Sequence, residues 1–198
     1  MNPFPASMNR TNPRMMIFVD GENLAIRFKE LLNQYELQKP DHIVEIPNVF
    51  VWSEVINKFL EHRNIIRKYY FTSCVGDENK IQEIESFIRK EGFEAPRVFK
   101  GSRGRKSKRV DIAMATEILL HGFRDNYDYA LIITGDEDFI PAIKAISNEG
   151  KRILLWYLNS STNQSLIRCA DHVYNLEPFL IAKEAEPWGH LRGEIEHN

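Results

Sequence analysis

The sequence is short of the residues that announce many kinds of protein. It has two cysteines in 198 residues, Cys74 and Cys169. They form no Cys-x-x-Cys pair, and each sits in an apolar or mixed stretch. Neither a disulfide framework nor a structural zinc is expected, and a reducing compartment fits best. The six histidines are scattered. No His-x-x-x-His or His-Glu-x-x-His spacing is present to hold zinc, and His121 and His172 read as structural. The ten glycines give no P-loop and no dinucleotide fingerprint. Gly-x-Ser-x-Gly is also absent, which argues against a hydrolase elbow. No apolar run approaches the length of a membrane span. The segment Met1 to Arg14, rich in Asn, Pro and Ser, lacks the apolar core of a signal peptide. A cytoplasmic protein without a membrane partner is expected, with a flexible leader over residues 1–14. Formal net charge is only −2, so any nucleic-acid site has to be a local patch.

What is present suits one well-packed domain, with 43% hydrophobic and 27% charged residues. Met15 to Val19 is a short continuous apolar run ending at Asp20-Gly21, which predicts a buried strand entering a turn. Glu22 to Tyr35 has helical spacing, Gln38 to Asn48 reads as a loop, and Val51 to His62 has helical period. Strands are expected at Ile65–Phe71, Phe93–Phe99, Tyr129–Thr134, Arg152–Leu158 and His172–Asn175. Helices are expected at Asp77–Lys90, Val110–His121, Phe139–Asn148 and Asn163–Cys169, with glycines 92, 122 and 150 as stops. This alternation predicts an α/β fold of three layers, with a mainly parallel central sheet and helices on both faces. The domain is expected over residues 15–180, with a charged tail over 181–198.

Ligands of such sheets bind at the carboxyl ends of the strands, near the point where strand order reverses. Two buried strands end in acid there: Phe18-Val19-Asp20-Gly21-Glu22-Asn23 and Ile133-Thr134-Gly135-Asp136-Glu137-Asp138. A third acid, Asp111, stands near the start of a helix whose other early residues are apolar. Carboxylates placed together repel and desolvate one another. A divalent cation with a taste for oxygen ligands, such as Mg²⁺ or Mn²⁺, relieves the conflict. Held there, it activates water and stabilises charge on a phosphate in transfer. Helix capping explains Asp20 or Asp138 singly, and the helix dipole explains Asp111. Convergence of both strand ends on one edge is harder to explain by capping.

Lys100 to Arg109 reads Lys-Gly-Ser-Arg-Gly-Arg-Lys-Ser-Lys-Arg. A basic run is often only a solvated loop. This one precedes Asp111 directly, so Arg103, Arg105, Lys106, Lys108 and Arg109 are candidates to grip a phosphate backbone. Asn23 is placed to orient water or contact phosphate. Thr134 is placed to support the acids by hydrogen bonding; β-propensity alone also accounts for it. Trp52, Trp156 and Tyr157 lie in core-like segments and do not read as base-stacking platforms.

In combination and order, three segments resemble the NYN family, a branch of the PIN-like nuclease fold, and its LabA-like members in particular. They are Phe18–Asn23, Lys108-Arg109-Val110-Asp111-Ile112-Ala113-Met114-Ala115 and Thr134-Gly135-Asp136-Glu137-Asp138-Phe139-Ile140-Pro141. A fourth, Asn163-Gln164-Ser165-Leu166 with Ala170-Asp171, resembles the family's closing segment. The resemblance implies a PIN-like, Rossmannoid sheet with Asp20 and Asp136 adjacent. It implies metal binding by Asp20, Asp111 and Asp136, with Asp138 as a further acid and Asn23 beside them. It also implies an Mg²⁺- or Mn²⁺-dependent endoribonuclease using one or two ions. Its partner is RNA, with a single strand expected first, and a homodimer is left open. Glu22 departs from the first motif at a position where the family varies, and no role is read from it. Two rivals stand beside the nuclease: a non-catalytic RNA-binding regulatory module, and a phosphatase of the haloacid-dehalogenase kind. The latter needs Asp-x-Asp after the first strand, where this chain has Asp20-Gly21-Glu22.

Overall fold

The run Met15–Asp20 is buried along its whole length because strands pair with both its edges and helices cover both its faces. In the computed structural model, which describes residues 12–101, 108–158 and 163–181, this strand (β1) lies at the centre of the sheet. β4 (Ile65–Cys74) pairs with one side and β6 (Tyr129–Ile133) with the other, both parallel to it. Beyond β4 lies β5 (Ala95–Lys100); beyond β6 lie β7 (Arg152–Tyr157) and β8 (His172–Asn175). The order is β5-β4-β1-β6-β7-β8, and every neighbour is parallel. The chain steps outward from β1 through β4 to β5, then returns to β6 and steps the other way. The reversal falls between β1 and β6, and that is where a crevice opens. The leader expected over residues 1–14 and the tail expected over 181–198 lie almost wholly outside the described residues.

Parallel strands need crossovers, and these supply the covering layers. One face carries α1 (Gly21–Gln34), α2 (Glu54–Leu60), α3 (Glu78–Lys90) and the closing turn α7 (Glu177–Ile181). Their apolar sides join Met15, Ile17 and Val19 in one core. The other face carries α4 (Lys108–Phe123), α5 (Ile140–Asn148) and α6 (Gln164–Ile167). Val110, Met114, Ile118, Ile143, Ile146 and Leu166 pack there on Met16 and Phe18. The three-layer α/β fold with a parallel central sheet is therefore as the alternation predicts.

One segment differs. Gln38–Asn48 is not all loop, and Val51–His62 is not all helix. Ile43–Ile46 (β2) and Phe50–Ser53 (β3) form an antiparallel hairpin, and only Glu54–Leu60 is helical. The apolar spacing of Val51, Val55 and Phe59 mimics a helix because two elements meet at Ser53. That buried serine ends the strand and caps α2, its hydroxyl accepting the Val55 N–H at 3.1 Å.

The hairpin is fastened to the sheet through Tyr70 of β4. The Tyr70 hydroxyl accepts the Val51 N–H at 3.0 Å and donates to the Val51 carbonyl at 3.3 Å. Thr72 donates to the Val49 carbonyl at 2.7 Å. Burial pushes the Tyr70 phenol well above its ordinary pKa, so it stays a neutral donor and acceptor. His121 is structural, as its sequence context suggests. It sits between the Tyr69 hydroxyl at 2.7 Å and the Asn126 amide at 2.8 Å, and burial lowers its pKa.

Replacing Tyr70 by Phe leaves the buried Val51 N–H and C=O without this partner. The expected loss is about 1–3 kcal/mol of stability, read as a lower urea midpoint at unchanged slope.

Candidate metal centre

Strand geometry decides which way Asp20 faces. Met16 and Phe18 lie on the α4 side of β1, and two residues on, Asp20 shares that side. It is fully buried. It ends β1 and caps α1, its Oδ1 accepting the Asn23 N–H at 3.1 Å. Its Oδ2 accepts the Thr134 hydroxyl at 3.0 Å. Thr134 is the residue after β6 and stands across from Asp20, because Val19 pairs with Ile133. The Thr134 oxygen in turn accepts the Asp136 N–H at 3.1 Å. Asn23 closes the loop of contacts: its Oδ1 accepts the Gly135 N–H at 3.0 Å.

These bonds hold the two strand ends in a fixed relation. Thr134, not Asp136, faces Asp20 in the sheet, and the hydroxyl couples one carboxylate to the backbone that carries the next. Asp136 caps a short 3-10 turn, Glu137–Phe139, accepting the Asp138 N–H at 3.0 Å. Asp111 enters from the first turn of α4. Asp20, Asp111 and Asp136 each offer a carboxylate oxygen, and these three atoms all lie within 4.8 Å of one another.

Asp138 is exposed and lies outside this group of three; its backbone, not its carboxylate, serves the cluster. Lys108 and Arg109 are the exposed first two residues of α4. Arg103, Arg105 and Lys106 lie outside the described residues. Trp52 and Trp156 are in the core, as their segments suggest.

The donor set is oxygen only, without histidine or cysteine, which suits a hard cation such as Mg²⁺ or Mn²⁺ rather than zinc. A carboxylate offers about four lone-pair sites. Two of these sites on Asp20 are taken by the Asn23 N–H and the Thr134 hydroxyl. At an effective dielectric near 20, two charges about 5 Å apart repel by about 3 kcal/mol. A divalent ion held among three such groups would offset that repulsion.

Two residues that sequence reasoning passed over shape the site. Gly21 follows Asp20, and a side chain there would strike the Tyr70 ring and come within 2.8 Å of the Phe71 carbonyl oxygen. The same Tyr70 that anchors the hairpin thus sets how closely α1 seats on the sheet. Glu22 is almost fully buried and accepts a hydrogen bond from the Ser73 hydroxyl. Ser73 also packs against Gly101, where a Cβ would lie 2.7 Å from its oxygen. Gly101 donates to the Cys74 carbonyl at 2.8 Å, so the entrance to the basic segment is tied to the end of β4. An acid one residue beyond the Asp20-Gly21 turn was the only sign of this in the sequence.

Replacing Asp111 by Asn removes one of the mutually repelling charges. Without metal, the variant is expected to unfold a few degrees above wild type, since about 1 kcal/mol moves the midpoint of a chain this size by about 2–4 °C. Added Mn²⁺ should raise the wild-type midpoint and move the variant far less. Thermal unfolding with and without Mn²⁺ reads both effects.

Comparison with known proteins agrees with this fold. An uncharacterized protein of Methanocaldococcus jannaschii is 28% identical over 132 residues, covering 66% of this chain and 49% of its own length. The chain thus spans about half the length of that relative. A crystal structure of a protein of unknown function from Vibrio parahaemolyticus superposes with a TM-score of 0.59 at 15% identity. It covers 84% of this chain and 94% of its own, a likeness of fold. The NYN domain model matches residues 14–177, a span that takes in every strand of the sheet and all three clustered carboxylates, and the chain belongs to the NYN domain family.

Proposed function

We propose that this NYN domain, of the LabA-like branch, is a metal-dependent endoribonuclease that hydrolyses phosphodiester bonds of single-stranded RNA. The observation that supports this best is the convergence of Asp20, Asp111 and Asp136 within 4.8 Å at the point where strand order reverses. The cluster is built from three separate elements of a fold whose family is nuclease-like. No helix among the described residues is long and apolar enough to cross a membrane, and we assign the protein to the cytoplasm.

In this reading Asp20, Asp111 and Asp136 hold one or two Mg²⁺ or Mn²⁺ ions. The ion supplies an activated water and a counter-charge for the phosphate. Thr134 fixes the Asp20 carboxylate and is a positioning residue. Asn23 spends its carbonyl oxygen on Gly135, which orients the amide and leaves its NH₂ to donate to a phosphate oxygen or a water. Asp138, exposed two residues beyond Asp136, serves as an accessory acid at the rim. Lys108 and Arg109, with Arg103, Arg105 and Lys106, grip the backbone of the substrate, so binding weakens as salt rises.

The test is incubation of the purified chain with end-labelled single-stranded RNA in Mn²⁺ or Mg²⁺, against chelator and against Asp136→Asn. Cleavage should require the metal and fall by about a hundredfold or more in the variant, since even outer-shell changes at metal sites cost about 10–100-fold. Cleavage that survives the substitution contradicts the assignment of the site. Binding without cleavage across several RNAs would make the domain a regulatory RNA binder.

A further inference from the structure

The face of the sheet that α4 covers continues past the helix onto β4 and β5, and its outer part is basic. Side chains alternate along a strand, so Arg67 of β4 shares the α4 side with Tyr69 and Phe71. On β5, Arg97 shares that side with Ala95 and Phe99. Asp20 pairs with Phe71, and Phe71 with Arg97. Arg97 is therefore level with Asp20 and two strands away, about 10 Å across the sheet. Arg67 stands four residues back from Phe71, about 13 Å along β4.

Both guanidiniums converge on one ring. Their central carbons lie 5.9 Å (Arg67) and 5.5 Å (Arg97) from the centre of Tyr69, and Arg67 donates to the Tyr69 hydroxyl at 3.4 Å. Helix α4 brings two more arginines. Arg109 is exposed in its first turn, two residues before Asp111, and Arg124 is exposed just past its end. Burial first, and then the charges of Arg67 and Arg124, hold the His121 imidazole below its ordinary pKa against the pull of Glu117, so both arginines stand near the last turn of α4. Arg97 contacts Glu117, six residues beyond Asp111, at 3.2 Å. The order along this flank is thus Arg109, Arg97, then Arg67 with Arg124, a row about 22 Å long at 1.5 Å per helical residue. Two acids act on it. Glu117 is shared between Arg97 and His121, and the Glu94 carboxylate accepts the Lys68 N–H at 2.9 Å. Four arginines against two glutamates reverse locally the sign of a chain whose formal net charge is −2. Like charges gathered in this way attract an anion.

We propose that this row is a second contact for the substrate strand: the phosphate backbone of single-stranded RNA runs from the metal centre along the β5 flank of α4, held by Arg97, Arg67 and Arg124. The proposal deepens the nuclease reading and rests on it for the identity of the strand. The row begins two residues from Asp111, so a strand whose scissile phosphate lies among the three carboxylates meets it directly. At a stacked-strand rise of about 3.4 Å, 22 Å corresponds to about six nucleotides. Each guanidinium presents five N–H donors in a planar fork that matches phosphate oxygens. Such contacts fix position and carry no sequence information, so binding along the row is indifferent to base. The metal centre lies at one end of the row, which grips the strand on one side of the scissile bond.

The experiment is fluorescence anisotropy of the full chain with a labelled single-stranded RNA of about twelve nucleotides, twice the span of the row, over a series of salt concentrations in chelator. Wild type is compared with Arg67→Gln/Arg97→Gln/Arg124→Gln, with the same three positions changed to Lys, and with Arg27→Gln/Lys29→Gln/Lys58→Gln. The last removes three charges from α1 and α2 on the opposite face of the sheet. Each phosphate contact contributes about 0.7 to the slope of log affinity against log salt for a single strand. The glutamine triple should therefore lower the slope by about 2 and weaken binding at low salt at least about tenfold. The lysine triple should restore most of the slope, and the opposite-face triple should keep it. Should the glutamine triple fail to fold by circular dichroism, Arg67→Gln/Arg124→Gln, at two exposed positions, should lower the slope by about 1.4. A wild type that binds RNA while the glutamine variants keep its slope overturns the row and leaves the nuclease reading standing. An opposite-face triple that loses as much also overturns it. A wild type that binds no RNA overturns both. Because metal is withheld, a domain that binds RNA without cutting it, which would sink the nuclease reading, still supports the row if the slopes fall as stated.

Discussion

Asp20 places a carboxylate where no solvent reaches it. An isolated charge in such a position costs several kcal/mol, and the groups that offset the cost come from parts of the chain more than a hundred residues apart. The Asn23 N–H is supplied by the first turn of α1, and the Thr134 hydroxyl by the end of the neighbouring strand. Much of the surrounding structure serves to keep those two donors in place. Tyr70 fastens the β2–β3 hairpin to β4 and presents its ring to Gly21; Gly21 lets α1 begin close against the sheet; and that start aims the Asn23 N–H at Asp20. On the other side, the Thr134 N–H bonds to the Trp156 carbonyl at 3.1 Å, which ties the second donor to β7.

This arrangement explains why the candidate site lies where it does. A charged side chain at a strand end is unremarkable on the surface, where water satisfies it. Three of them drawn together from β1, from the segment after β6 and from α4 are a standing repulsion that the fold tolerates through hydrogen bonds to Asp20 and Asp136 and the partial exposure of Asp111 and Asp136. Such a site is stabilised by the cation that function would require. The NYN match over residues 14–177 places this cluster within a nuclease-like family. The distant likeness to a Vibrio parahaemolyticus structure carries the fold alone.

The parts of this structure that could be read from the sequence are those governed by local pattern. Met15–Val19 and Tyr129–Thr134 are continuous apolar runs because both faces of a parallel strand are covered, and their shortness favours a strand over a buried helix. The acids that follow them were legible for the same reason, being the first charged residues after a buried run. The hairpin was not legible. Its strands are four residues each, and Phe50-Val51-Trp52 runs into a helix whose apolar residues continue at helical spacing. Only Ser53, a capping residue, marks the join. Glu22 and Ser73 were missed because their contact joins residues 51 positions apart, and no periodicity encodes it. The pairing of Asp20 with Thr134, with Asp136 two residues beyond, is likewise a matter of strand register.

The central claim is that Asp20, Asp111 and Asp136 hold a divalent ion in common. Anomalous diffraction from crystals grown with Mn²⁺ tests it most directly, because it locates the ion itself. The account predicts a peak bonded to oxygens of all three carboxylates, directly or through one ordered water, at distances near the roughly 2.1 Å typical of a small hard cation. A saturated crystal with no peak between the three side chains, or with the ion held elsewhere, would contradict it.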